Sequence, residues 1–205
     1  MKIAVIGANG KTGRLFVNEA VQRGHEIRAG VFHSNSFTKS DYIDVMQCDA
    51  MKLEDVDALV TGCDVVVSLI GHVKDSPAFV QTSAIANVLS ASKKHHINRV
   101  MSLTGTGVRM PGDTPSLSDR VLNVGIKLID PERIQDGIAH ADVLRESDAD
   151  WTIVRVLKLA DIPMHNYTLT EHGPARLLVS RAVVADALLT ILLEDTYHKQ
   201  APIIS

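Results

Sequence analysis

The sequence predicts an α/β protein with a Rossmann-like fold, a doubly wound and mostly parallel sheet of about seven strands with helices on both faces. Short apolar runs rich in β-branched residues alternate with runs whose apolar residues recur at helical spacing. Consecutive valines in the run at residues 64–70 favour a strand that is buried on both faces, as parallel strands are. A glycine-rich loop at residues 7–13 joins the first strand to the first helix.

The first half of the chain contains predicted strands at residues 2–6, 25–32, 45–48, 64–70 and 99–103, of which the run at 45–48 is the weakest. The predicted helices cover residues 12–23, 53–60 and 77–94. Gly24 and Gly62 follow the first two helices, at positions where glycine commonly ends a helix.

The second half is less regular. Residues 134–146 and 181–194 are predicted helices, and residues 151–157 and 202–205 are predicted strands. Residues 111–131 mix proline, glycine and aspartate with apolar residues, which predicts an irregular excursion and leaves a partly helical segment open. Residues 167–179, interrupted by Gly173 and Pro174, are predicted to form an extended hairpin.

Length and composition predict a single domain over residues 1–205 in the cytoplasm. The net charge is −3, so nucleic acid and anionic membranes are poor default partners. No apolar run reaches the roughly 18 residues of a transmembrane helix, and the amino-terminal residues do not resemble a signal peptide. Cys48 and Cys63 cannot form a disulfide framework and are expected to pack in the core.

The loop at residues 7–13 has the spacing of a dinucleotide-binding turn, with Gly7, Gly10 and Gly13 in a GxxGxxG pattern. The turn that leaves the strand needs backbone angles that a Cβ disfavours. A pyrophosphate must also approach the main chain closely, where the N-terminus of the following helix offers free N–H groups and a positive dipole end. The position between a strand and a helix therefore predicts NAD(P) binding.

A triphosphatase P-loop is excluded by counting. Gly10, Lys11 and Thr12 look like the end of such a loop, which needs four residues between its glycines. The first glycine of a P-loop would fall at Val5, inside the predicted strand.

The chain resembles the atypical short-chain dehydrogenase/reductases, most closely the group of NAD(P)H-dependent flavin reductases and biliverdin reductase B-like proteins. The likeness runs almost end to end, through residues 7–13, 62–66, 69–71, 144–147, 167–174 and 179–181. The resemblance implies a Rossmann-like sheet and hydride transfer to flavins or similar planar acceptors. It places the substrate-side pocket at residues 104–131 and 156–180.

The resemblance also implies which residues bind the cofactor. The pyrophosphate loop is Gly7, Asn9, Gly10, Lys11, Thr12 and Gly13, the adenine contacts are Asp49 and Ala50, the ribose contacts are Leu69, Ile70 and Gly71, and the nicotinamide contacts are Leu103, Thr104, Val156, Leu157 and Lys158. A second interpretation of Asp49, as the N-cap of the helix at 53–60, stays open beside the first.

Three positions depart from the family pattern. Phe32 stands where the family usually has an arginine for the 2′-phosphate of NADP, and no acidic residue is there to bind an NAD ribose. His33, Ser34 and Asn35 are expected to hold the phosphate instead, with charge from Lys39 or Lys11, so NADP(H) is favoured over NAD(H). Gly105 and Gly137 replace the serine and the histidine of the biliverdin reductase-like members, so activity on biliverdin itself is not expected.

The Tyr-x-x-x-Lys pair of ordinary short-chain dehydrogenases is missing, since Met46, Glu171 and Ala201 stand four residues after the three tyrosines. Reduction of simple ketones, which needs a positioned acid, is therefore disfavoured. Hydride transfer to a flat ring needs mainly positioning, which favours FMN or riboflavin as the acceptor. The candidate catalytic residues are Thr104, Thr106 and His72, although the position of His72 favours an exposed loop histidine over a substrate contact.

Two further hypotheses remain. A non-catalytic NAD(P) sensor of the NmrA-like kind also needs no acid–base pair. A sugar-nucleotide epimerase or dehydratase shares the loop but normally needs the Tyr/Lys pair and a larger C-terminal domain. No metal site is predicted, since His95 and His96 are adjacent and their side chains diverge. The expected partner is a small planar acceptor, and the expected assembly is a monomer or a weak homodimer.

Overall fold

The structure is a computed structural model that describes residues 1–33, 35–38, 40–73 and 75–205. Ser34 and Lys39, which the sequence analysis placed at the phosphate of the cofactor, lie outside the described residues.

The described residues form ten strands and six helices. The strands are β1 (Lys2–Ile6), β2 (Glu26–Val31), β3 (Ile43–Gln47), β4 (Val65–Ser68), β5 (Arg99–Gly105), β6 (Asp150–Val156), β7 (Leu159–Ala160), β8 (Leu169–Thr170), β9 (Val179–Ser180) and β10 (Ile203–Ile204). The helices are α1 (Lys11–Gln22), α2 (Leu53–Val60), α3 (Val80–Lys94), α4 (Leu117–Ile129), α5 (Pro131–Arg145) and α6 (Arg181–Leu193). Every helix in the described part of the chain is too short or too polar to cross a membrane.

The main sheet confirms the predicted Rossmann-like fold. Its eight strands lie in the order β3-β2-β1-β4-β5-β6-β10-β8, and all neighbours are parallel except β10 and β8. From β1 the chain builds outward through β2 and β3, and then returns to place β4 on the other side of β1. In open α/β sheets, this reversal point opens the crevice in which ligands bind.

Helices cover both faces of the sheet because alternate strand residues point to opposite sides. Val5 of β1 packs in one buried core with Phe16 of α1 and Leu188 of α6. Ile6, the next residue, packs in the other core, together with Ile85 of α3. Helices α2 and α5 contribute to the second core as well.

Residues 111–131 are more regular than the sequence suggested, because α4 occupies most of them. The hydroxyl of Ser116 caps α4 by accepting a hydrogen bond from the N–H of Asp119 at 3.2 Å. Asp130 ends α4 and caps α5, accepting from the N–H of Arg133 at 3.2 Å. Pro131 then begins α5, at a position where its missing N–H costs nothing.

The predicted hairpin at residues 167–179 is wrong. β8 pairs with β10 instead, and the backbones of Thr168 and Ser205 exchange two hydrogen bonds at 3.0 and 2.9 Å. β9 pairs in parallel with β7, in a separate two-stranded sheet. The two halves of the segment therefore have different partners, because the C-terminal strand and the strand after β6 supply the hydrogen bonds.

Arg155 of β6 is the largest side chain that is fully buried, and all five of its N–H groups donate hydrogen bonds. Two go to the carboxylate of Asp113, at 2.5 and 2.9 Å. The others reach the carbonyl oxygens of Val108, Glu171 and Ala201, at 2.8–3.0 Å. This guanidinium thereby joins β6 to three segments that are distant in sequence.

Replacement of Arg155 by methionine is expected to lower the free energy of unfolding by about 3–5 kcal/mol, because it leaves the buried carboxylate of Asp113 without its partner. Chemical denaturation measures the change. The matched control is Arg145→Met, which removes an exposed pair with Asp142 and should cost less than about 1 kcal/mol. Similar losses in the two variants would contradict the role given to Arg155.

Candidate functional site

The predicted cofactor residues lie along one edge of the sheet. Strands β1 to β6 are parallel, so their carboxyl ends meet there. Each group of predicted residues follows or ends one of these strands, so the groups lie side by side across the reversal point. They are residues 7–13 after β1, residues 32, 33 and 35 after β2, residues 49–50 after β3, residues 69–71 after β4, residues 103–104 in β5 and residues 156–158 at the end of β6.

The glycine loop packs tightly enough to need its glycines. Gly7 has a φ of +76°, in the left-handed region that favours glycine. A Cβ on Gly7 would lie 3.0 Å from the carbonyl oxygen of Leu69, so the loop directly abuts the end of β4. A Cβ on Gly13 would lie only 2.2 Å from the carbonyl oxygen of Gly7. Gly13 therefore allows the start of α1 to pack against the turn.

The N-terminus of α1 is open. Its N-cap, Gly10, has no side chain to cap the helix, and no acidic residue lies in the first turn. The N–H groups of Lys11, Thr12 and Gly13 have no acceptor among the described residues. The other five described helices each have a capping side chain or an acidic first turn. Free N–H groups and an uncompensated dipole make this end of α1 suited to a pyrophosphate.

Lys11 is an exposed residue of this loop, and its ammonium lies 3.6 Å from the carboxylate of Asp161. Asp161 also pairs with Arg181 at 2.7 Å, and that hydrogen bond is the main reason why the pKa of Asp161 lies below its usual value. The positive charge of Lys11 therefore lies in the loop, where the carboxylate of Asp161 partly balances it.

The segment after β2 is exposed and polar. Phe32 is 53% exposed, with the ring of His33 at 3.8 Å. The side chain of Asn35 turns back to accept a hydrogen bond from the N–H of Phe37 at 2.8 Å. The hydroxyl of Ser36 donates to the side chain of Asn9, which ties this segment to the glycine loop.

A cavity of about 340 Å³ lies between this segment and α1. Arg14 and Asn18 line it from α1, and Ser36, Thr38 and Ser40 line it from the segment after β2. Arg14 is exposed and has no ion-pair partner among the described residues. Arg14 was not predicted from the sequence, although it directly follows the glycine loop.

Asp49 does not cap α2, so that interpretation is wrong. Lys52 is the N-cap of α2 and no side chain caps the helix there. Instead, Asp49 forms a local turn in which its carboxylate accepts a hydrogen bond from the N–H of Met51 at 3.0 Å. Ala50 is buried, and its carbonyl oxygen accepts from Asn87 at 2.9 Å. The adenine contacts of both residues stay predictions.

Gln81 of α3 joins the ends of two central strands and was not found from the sequence. Its amide nitrogen donates to the carbonyl oxygen of Ile70 at 2.8 Å and lies 3.5 Å from that of Leu103. On the other side, the N–H of Thr106 donates to the carbonyl oxygen of Val156 at 3.0 Å, and the carbonyl oxygen of Lys158 accepts from Val179 at 2.9 Å. Val156 and Leu157 are buried, whereas Lys158 is exposed.

The hydroxyl groups of the two candidate threonines differ in their hydrogen bonding. The hydroxyl of Thr106 donates to Asp119 at 2.9 Å and accepts from Asn123 at 3.2 Å, and the residue is buried. Thr106 therefore anchors the start of the loop after β5. The hydroxyl of Thr104 has no hydrogen-bond partner among the described residues. It lies 3.2 Å from the place that a Cβ on Gly137 would take.

His72 is largely buried rather than exposed. Its side chain is 11% exposed, and Nε2 lies 2.7 Å from the carboxylate of Asp136 on α5. Asp136 stands beside Gly137, the position at which the resembling family carries its histidine. Here an imidazole reaches this helix from the segment after β4.

Asp136 is fully buried and caps α3 from a distance. Its carboxylate accepts from the N–H groups of Gln81 and Thr82, both at 2.9 Å, and from the hydroxyl of Thr82 at 2.6 Å. Burial raises the pKa of Asp136, but the hydrogen bonds from Thr82, Gln81 and His72 outweigh burial and hold the pKa below its usual value. The carboxylate is thus ionised. Four groups lie within hydrogen-bond distance of it: the N–H groups of Gln81 and Thr82, the hydroxyl of Thr82 and the imidazole of His72.

His140 lies one turn further along α5 and is 2% exposed. Its Nδ1 has no hydrogen-bond partner among the described residues. Burial lowers the pKa of His140 to about 4, although Asp136 opposes the shift. His140 is therefore neutral at physiological pH.

Comparison with known proteins agrees with this geometry. The sequence model of the NAD(P)H-binding family matches residues 7–195. YwnB of Bacillus subtilis, an uncharacterized protein, is 38% identical over 64 residues, and the match spans 29% of this chain and 30% of that relative.

Two crystal structures are similar over the whole of this chain. A short-chain dehydrogenase/reductase from Veillonella parvula in complex with NADP has a TM-score of 0.84 at 19% identity, over 94% of its own chain. A Streptococcus pneumoniae protein with the provisional name NADH-flavin reductase has a TM-score of 0.79 at 23% identity, over 98% of its chain. Likeness at these identities shows the shared fold.

Replacement of Gly10 by valine is expected to weaken NADPH binding at least about tenfold, because the side chain would occupy the space above the free N–H groups of α1. Isothermal titration measures the affinity. The Gly10 backbone is extended, and a Cβ there would lie 3.1 Å from the carbonyl oxygen of Gly7, so a shift of that turn by a few tenths of an ångström should accommodate it and the fold should persist. Gly13→Ala, which clashes with backbone, should instead lower the thermal stability. Unchanged binding in Gly10→Val would contradict the loop assignment.

The buried His140 should make the protein less stable in mild acid. Its folded pKa lies below the unfolded value, so the unfolded state binds a proton that the folded state does not. This contribution to stability is complete above pH 6.5 and falls by about 3 kcal/mol as the pH drops towards 4. Denaturation of the protein and of His140→Gln across this range measures the difference, which should shrink in the variant. Parallel pH profiles would contradict the assignment.

Proposed function

This chain belongs to the NAD(P)H-binding family, and we propose that it is an oxidoreductase that uses NAD(P)H to reduce a flavin or a similar planar acceptor. The observation that supports this most strongly is the open N-terminus of α1, placed by the glycine loop at the point where the strand order reverses. A dinucleotide bound there would extend along the carboxyl edge of the sheet towards Thr104 and Leu157.

The tyrosines support reduction of a planar ring rather than of a simple ketone. Tyr167 donates to Asp186 at 2.9 Å, and burial raises its pKa to about 12. Burial also raises the pKa of Tyr197. A tyrosine that gives or takes a proton in a dehydrogenase needs a lowered pKa, and neither residue has one. Tyr42 lies on the surface before β3, away from the carboxyl edge.

A bound nicotinamide would supply the hydride, and the protein would hold the nicotinamide and the acceptor ring in the reacting geometry. Holding two rings in the reacting geometry can contribute roughly 7–11 kcal/mol without any acid or base. The hydroxyl of Thr104, which has no hydrogen-bond partner in the described part of the chain, is available to orient a polar edge of one ring. His72, which Asp136 orients at 2.7 Å, lies at the same edge of the sheet. The provisional name of the Streptococcus pneumoniae neighbour agrees with a flavin as the acceptor.

NADP(H) is the proposed cofactor, and Arg14 is the residue that supports it. Phe32 provides neither the arginine that grips a 2′-phosphate nor the carboxylate that excludes it. Arg14 instead adds a guanidinium, without an ion-pair partner in the described part of the chain, to a cavity lined by hydroxyl and amide groups together with the apolar side chains of Phe37 and Ile43. A guanidinium with hydroxyl donors is well suited to a phosphate dianion.

Oxidation of NADPH and of NADH at 340 nm, with and without FMN or riboflavin, tests the function. We expect oxidation that depends on the acceptor and is faster with NADPH. No turnover with any flavin or quinone, together with micromolar binding of NADPH, would contradict the reductase and favour the sensor of the NmrA-like kind.

The same assay tests the cofactor preference. Arg14→Met should raise the KM for NADPH about tenfold, the cost of one charge-assisted contact, and leave the KM for NADH unchanged. Arg145→Met, at the far end of α5, is the control for loss of an exposed arginine. Equal effects of Arg14→Met on the two cofactors would remove Arg14 from the phosphate site.

A further inference from the structure

Helix α4 presents a continuous apolar stripe to solvent. Leu117, Val121, Val124 and Leu128 follow one another at intervals of four, three and four residues, so they share one face of the helix. They are 80%, 72%, 59% and 80% exposed, respectively. Ile129, at the end of the helix, is 87% exposed. A run of large apolar side chains this exposed is unusual on a monomer and marks an interaction surface.

The inner face of α4 mixes the half-buried Leu122 and Ile126 with polar residues, so the most apolar face of this helix is the one turned to solvent. Asp119 is buried and pairs with Arg109 at 2.7 Å and with the hydroxyl of Thr106 at 2.9 Å. The amide of Asn123 donates to the hydroxyl of Thr106 at 3.2 Å. These contacts hold the helix to the loop after β5, and its rotation therefore fixes the apolar stripe outward.

Gly125 adds a second observation on the same helix. A Cβ there would meet no described atom within 4 Å, and the residue has no positive φ, so nothing within the described part of the chain requires glycine. Glycine in the interior of a helix also lowers helix stability relative to alanine. The absence of a side chain next to the stripe would allow the backbone of another helix to approach closely.

We propose that this stripe packs against the same stripe of a second copy of the chain, with the two α4 helices parallel about a two-fold axis. Spacings of four, three and four residues form the seam of a two-helix coiled coil, and such a seam is complementary to itself. The stripe lies opposite the inner face of α4, so the two protein bodies would lie on opposite sides of the seam without collision.

The charges beside the stripe favour the parallel arrangement. Arg120 and Lys127 lie on one flank, and Ser118 and Gly125 lie on the other. In an antiparallel pair, like flanks meet, so Arg120 would face Lys127 of the second copy. In a parallel pair, opposite flanks meet, and Arg120 would face the second copy's Gly125. Only the parallel pair avoids like charges in contact.

The exposed apolar area of the stripe predicts a weak dimer. The exposed parts of the five apolar side chains amount to an area on the order of 600 Å², at the top of what monomers leave open. A standard stable interface buries about 800 Å² on each partner. We therefore expect a dimer that dissociates on dilution.

Analytical ultracentrifugation of the full chain between about 1 and 300 µM tests the proposal. The protein should shift from monomer to dimer, and Val121→Glu should stay monomeric with unchanged thermal stability. The control is Leu193→Glu, an exposed apolar residue at the end of α6, which should dimerise as the parent does. A parent that stays monomeric throughout, or a Val121→Glu variant that dimerises equally, would overturn the proposal. Monomer that sediments with anionic vesicles would overturn it in favour of a membrane surface.

Oxidative cross-linking tests the orientation. Leu117→Cys and Leu128→Cys should each form a disulfide-linked dimer, because in a parallel pair each position meets its own counterpart within the reach of a disulfide. Cys48 and Cys63 are buried and should not interfere. Cross-linking only when the two variants are mixed would show an antiparallel pair and overturn the parallel arrangement.

Discussion

The buried guanidinium of Arg155 holds the less regular half of the molecule to the sheet. Its hydrogen bonds reach Asp113 and Val108 after β5, Glu171 after β8, and Ala201 before β10. Asp113, Val108 and Glu171 lie in the stretches that the resemblance predicts to form the substrate side, whereas Ala201 lies outside them. An arginine is suited to this position because its five donors lie in one rigid plane and can satisfy several carbonyl oxygens together with a carboxylate.

The cofactor side depends on backbone rather than on side chains. Parallel strands bring the ends of β1 to β6 to one edge, and the glycine loop brings the open end of α1 to the same edge. Because the groups that would hold a pyrophosphate are N–H groups, the loop needs the absence of side chains more than any particular side chain. In the proposed function, specificity for the rest of the cofactor would come from neighbours such as Arg14 and Ser36, which line the cavity beside α1.

Asp136 connects two helices to the segment after β4. Its carboxylate caps α3, receives His72 from the end of β4, and stands on α5 beside Gly137, against which Thr104 packs. The resembling family has a histidine at the position of Gly137. In this chain His72, from the segment after β4, contacts the same helix through Asp136. In helix α4, polar residues of the inner face anchor Thr106, and the apolar outer face has no partner among the described residues.

The sequence by itself determined the parallel sheet, the position of the glycine loop and most element boundaries, because hydrophobic periodicity and glycine spacing are local properties. It did not determine the pairing of β8 with β10, the burial of Arg155 and Asp136, the contact of His72 with α5, or the cavity beside Arg14. Each of these joins residues that are far apart in the chain. Only tertiary packing decides which polar side chains are enclosed and which partners they find, because a buried polar group must be satisfied by whatever the fold brings beside it.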